Sequence, residues 1–146
     1  MSREYVDSII VSHDSLKKIQ KAQKNIYRAG VYGYSEGKLA DTLSASSTIL
    51  GLAFVASTPV GVAAGIVGLF ATMGSGSDKD VILDWIKTGY LEMGDMIDYF
   101  EENSNIDRME IKFPFFEFTQ NGSTVRIVTG GGVIGKMHSG HGWYQP

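Results

Sequence analysis

The chain has 146 residues, enough for one domain with a real core, and its 43% hydrophobic and 20% charged content excludes a disordered polymer. A net charge of −3 removes any global attraction to nucleic acid. The absence of cysteine excludes disulfides, thiolate catalysis and Cys-based zinc sites. Residues 1–146 are read as a single domain of mainly α (α+β) class. Two long amphipathic helices flank a Gly/Ala-rich apolar helical hairpin, followed by a C-terminal β-hairpin and a glycine-rich tail. The parts are an N-terminal helical part at 1–41, the apolar hairpin at 42–77, an acidic helix at 78–102, the β-hairpin at 109–129 and the tail at 130–146.

Residues 3–29 read as a helix with a break near Ser12–Asp14, because Ile9, Leu16, Ile19 and Ile26 recur on one stripe. Ser12 or Asp14 is the natural cap of its second part. The opposite face carries Lys17, Lys18, Lys21, Lys24 and Arg28. A basic amphipathic helix next to an apolar segment suits anionic lipid, and it equally suits a solvated face or an acidic partner helix. The N-terminus begins with acids and has no early apolar run, so no Sec signal peptide is expected. Residues 30–37 hold three glycines and two tyrosines and read as a connector.

Thr42 to Ser77 contains no Asp, Glu, Lys or Arg. Its length reaches the roughly 20 apolar residues that a bilayer span requires. Thr58 is a candidate N-cap and Pro59 a candidate first helical residue, so two architectures compete here. One is a single kinked helix; the other, favoured, is a hairpin of two short helices. Small residues let backbones approach, and the candidate membrane or oligomer contacts are Gly51, Gly61, Ala64, Gly65 and Gly68. The same argument ranks substitutions by damage: Val67→Asp first, Gly65→Leu second, Val62→Leu last. Gly74–Ser77 reads as a flexible linker.

Residues 78–102 form the second long helix, with acids at its start and an apolar stripe running from Ile82 to Phe100. Its outer face is acidic, so packing beside residues 15–29 is expected. From Glu110 the period becomes two, and Asn121-Gly122 signals a type I′ hairpin turn. That register sets Phe118 opposite Val125, Glu117 opposite Arg126 and Phe116 opposite Ile127. The tail from Gly130 to Pro146 is read as an arm that docks on something.

No catalytic residues emerge, and an enzyme is the least favoured class. Gly130 to Lys136 matches G-x-x-x-x-G-K, but Met137 replaces the Ser or Thr that a P-loop needs. His138 and His141 supply two imidazoles where a metal site needs three or four ligands, so no metal and no cofactor are assigned. The leading expectation is a non-enzymatic membrane-active protein that inserts the apolar hairpin, as a homo-oligomer, with lipid bilayer or copies of itself as partners and no nucleic acid. The alternative is a structural subunit of a larger assembly, such as a phage or secretion particle. The expected location is membrane-associated or within a secreted or virion assembly.

Overall fold

A computed structural model describes residues 2–74 and 76–146. The order is β1 (Ser2–Val11), α1 (His13–Tyr32), α2 (Glu36–Thr42), α3 (Ser47–Phe54), α4 (Pro59–Met73), α5 (Ser77–Glu102), β2 (Arg108–Gln120), β3 (Ser123–Val128), β4 (Val133–Ser139) and β5 (Gly142–Tyr144). The fold is α+β, with a helical layer against a curled antiparallel sheet.

The first correction is at the N-terminus. Residues 2–11 form a strand, not the first turns of a helix. Val6, Ile9, Ile10 and Val11 are β-branched, and Ile9 and Val11 alternate inward while Val6 and Ile10 stay exposed. The apparent helical spacing from Ile9 to Leu16 spans a junction between two elements. Ser12 ends the strand and caps α1, its Oγ accepting from the Ser15 N–H and the Ser15 Oγ accepting from the Ser12 N–H.

The second correction concerns the tail, where residues 133–144 form β4 and β5 instead of a loose arm. β2 is the spine of the sheet. One edge pairs with β1 from Ser2 opposite Phe118 to Val11 opposite Met109. The other edge pairs with β3 along its second half and with β4 along its first half. Residues 129–132 therefore stand opposite only Phe113 and Pro114, and the extra length bulges out. Gly132 is required there, since a Cβ would lie 2.5 Å from Ile111 and 2.6 Å from Phe113. The expected hairpin register is observed in full. Asn121 and Gly122 have φ of 52° and 73°, the two positive values that a type I′ turn demands.

α1 and α5 pack side by side, as expected, and run antiparallel; the contact is made mainly by apolar and amide groups, with His13 and Glu101 at one end. Leu16, Ile19 and Ile26 meet the stripe of Ile86, Met93 and Ile97 in one contiguous core. Gln23 is fully buried between them. Its amide donates to the Ile86 and Val128 carbonyls and accepts from the Val128 N–H. It thereby supplies the free edge of β3 with the hydrogen bonds a neighbouring strand would make. Gly89 leaves the space for this contact, since a Cβ there would overlap the Val128 carbonyl.

Candidate functional site

The apolar segment is the feature that composition marks out, and the structure divides it. Ser47–Met73 is a charge-free stretch containing an 18-residue run of mean hydropathy 1.9, long enough to cross a membrane. The backbone nevertheless breaks it into α3, of 8 residues, and α4, of 15 residues. Thr58 caps α4 by accepting from the Gly61 N–H at 2.9 Å, with Pro59 as the first helical residue, as the sequence indicates. The two helices do not stack as a simple hairpin. α4 packs mainly on α2 and β3, and α3 packs on β3 as well as on α4.

The break is made by a γ-turn. Val55 has φ 71° and ψ −54°, and the Ala56 N–H donates to the Phe54 carbonyl at 2.9 Å. A β-branched residue with this φ is strained, at a cost of roughly 1–3 kcal/mol. Val55 in this turn and Val60 in the first turn of α4 are 41% and 69% exposed.

What holds the bend is Arg126, the single buried arginine among the described residues. Its Nε donates to the Ala53 carbonyl at 3.2 Å and its Nη2 to the Leu52 carbonyl at 2.7 Å, covering the C-terminal end of α3. Its Nη1 donates to Asp7 at 2.8 Å and to the Tyr5 hydroxyl at 3.1 Å. The guanidinium lies 3.7 Å from the centre of the Phe115 ring. Glu117 stands opposite Arg126 in the hairpin, but its partners are Arg3 and Tyr5, at 2.9 and 2.8 Å. The Arg3 guanidinium holds the Glu117 carboxyl below its ordinary range, with Tyr5 adding to the effect and burial opposing it. One residue of β3 thus ties β1 to the end of α3. The cluster is not legible in the sequence, because Tyr5 and Asp7 fall in the stretch that reads as a helix.

The small residues occupy a second seam. Gly61, Ala64, Gly65 and Gly68 line the face of α4 against which the β2–β3 hairpin lies. The Gly61 carbonyl accepts from Ser123 at 2.7 Å and the Ala64 carbonyl from Asn121 at 3.2 Å. A Cβ on Gly65 would overlap Val125 Cγ2 and lie 3.3 Å from Val125 Cβ. One on Gly68 would lie 2.7 Å from Asn121 Nδ2. Gly51 is apart from this group, on α3, where an added Cβ would meet only Ser57 at 3.5 Å. In this conformation the close approach that the glycines permit is made by the chain's own strand.

The remaining motifs resolve simply. Gly130 to Lys136 leads into a strand, so no helix N-terminus faces a phosphate, and Lys136 lies 3.7 Å from Glu110. His138 Nδ1 is 2.7 Å from Asp107, which holds the Asp107 carboxyl low, and His138 packs on Trp143. His141 sits exposed in the β4–β5 turn. No group of three metal-ligating side chains occurs among the described residues. No protein-family profile, curated protein or solved structure matches this chain.

Proposed function

We propose that the protein is a non-enzymatic membrane-active protein that stores the apolar segment in the fold described above and inserts it into lipid, as an oligomer. One observation carries this reading. Ser47–Met73 is charge-free and holds an 18-residue run of mean hydropathy 1.9, and within it Val55 and Val60 are left 41% and 69% exposed in the isolated chain. α4 alone is about 22 Å long at 1.5 Å per residue, short of the roughly 30 Å hydrocarbon core. Merging α3 and α4 through Val55–Thr58 gives a helix of 27 residues, about 40 Å, which spans with tilt. The strain at Val55 favours that merger, and the Arg126 clamp opposes it. Once β3 leaves, Gly61, Gly65 and Gly68 are free to pack against another copy.

The test is dye release from lipid vesicles by the purified chain at micromolar concentration. Release that rises with protein and falls when Val55–Thr58 is cross-linked to β3 is the expected result. Stable soluble particles without release overturn insertion. They favour the second reading, a structural subunit of a larger assembly whose exposed apolar surface is covered by neighbouring copies.

A further inference from the structure

The outer face of the α1–α5 pair carries two charge rows of opposite sign side by side. On α1, Lys17, Lys21, Lys24 and Arg28 are exposed, and none has an ion-pair partner among the described residues. On α5, Asp84, Asp95, Asp98 and Glu102 are exposed on the row that also holds Lys87 and Leu91, and these acids are likewise unpaired among the described residues. The rows border a solvent-facing groove of about 300 Å³ lined by Gln20, Lys21, Lys24, Tyr90 and Leu91. Leu91 is 55% exposed at its edge.

We infer that this face is the contact surface for a second copy of the chain, in a two-fold dimer whose axis runs along the groove. A half-turn about that axis sets α1 of one copy over α5 of the other, and the reverse. The helices are antiparallel, with His13 beside Glu101 and Gln23 beside Ile86. Lys17 therefore comes level with Asp95, Lys21 with Leu91 and Arg28 with Asp84 of the other copy. Only Lys24 meets a like charge, at Lys87. Plus and minus rows side by side are self-complementary under this rotation, which is the condition for an isologous interface. Two helices about 30 Å long and 10 Å wide offer roughly 600 Å² per copy, or about 1,200 Å² in all, above the roughly 1,000 Å² that a specific interface needs. An anionic bilayer fits less well, because it attracts one row and repels its neighbour. The surface is separate from the apolar segment, so it stands whether or not that segment enters lipid.

Sedimentation velocity of the full chain tests the inference. The expected result is a dimer at micromolar concentration in about 50 mM salt, with its dissociation constant weakened at least about tenfold in 500 mM salt, where charge pairs at the rim are screened. Lys17→Glu with Lys21→Glu should be monomeric, and so should Asp95→Lys with Asp98→Lys, each with an unchanged far-ultraviolet spectrum. An equimolar mixture of the two variants should restore the dimer. A parent chain that stays monomeric at low salt overturns the inference. So does an oligomer indifferent to salt and to both reversals, or lysine-dependent binding to anionic vesicles without dimerisation.

Discussion

Gly65→Ala probes the seam between α4 and the β2–β3 hairpin with a single methyl. The added Cβ overlaps one methyl of Val125 and lies 3.3 Å from its Cβ, and Val125 is itself fully buried. Neither partner has free space, because Gly61 and Ala64 on the same face are hydrogen-bonded to Ser123 and Asn121. The helix or the strand must shift, and overpacking of this kind costs about 1–3 kcal/mol. The better helix propensity of Ala returns about 1 kcal/mol at most. A net loss of up to about 2 kcal/mol follows, or up to roughly 8 °C in Tm for a chain of this size. Val125→Ala alone costs about 1.6 kcal/mol for two lost methyl groups, plus a cavity term. In the double variant the new methyl fills the space that Val125 vacates, so the two losses should fall short of additive by about 1 kcal/mol. Urea unfolding followed by tryptophan fluorescence is suitable, since Trp85 packs edge-on against Phe116 beside this hairpin. Additive losses in the double variant, or a Gly65→Ala that stabilises by the full helix-propensity gain, would refute the close approach. The structure also reorders the damage expected along α4. Val67 is half-buried at the rim of a cavity near Tyr34 and Lys79, so Asp is tolerated there better than Leu at Gly65.

Three further outcomes are expected. Arg126→Met should lower stability by about 1–3 kcal/mol, because the Leu52 and Ala53 carbonyls lose their donors, while Asp7, half exposed, is left to water; a urea midpoint within error of the parent would remove the clamp from the account. Val55→Gly should raise the unfolding free energy by about 1 kcal/mol and the urea midpoint with it, since glycine accepts the positive φ without strain, and an unchanged or lower midpoint would mean that the turn is relaxed. Glu117 has a carboxyl depressed in the folded state, so its pairing stabilises the fold above the ordinary carboxylate value of 4.5 and is lost as pH falls through the depressed value. Glu117→Gln should therefore flatten the acid limb of a stability–pH profile; parallel parent and variant profiles would contradict that assignment.

Local signals determined a definite part of this protein. Asn121-Gly122 set the hairpin register because a two-residue turn admits few backbone solutions. Thr58-Pro59 started α4 because the cap and the fixed proline φ act within one turn. The stripe from Ile82 to Phe100 made α5 because many positions agree on one period. The sequence also marked Gly61, Gly65 and Gly68 as a face of close approach, although not what approaches it. Tertiary structure alone decided that Ser2–Val11 is a strand, because the partner that supplies its hydrogen bonds lies some hundred residues away in β2. It likewise decided that the run after Gly130 continues the strand begun by β3, since only the spine strand β2 aligns the two pieces. Arg126 belongs to the same class. Facing Glu117, it reads as a cross-strand pair, yet it bonds Asp7 and the end of α3, because curling of the sheet brings those groups to its fork and gives Glu117 to Arg3.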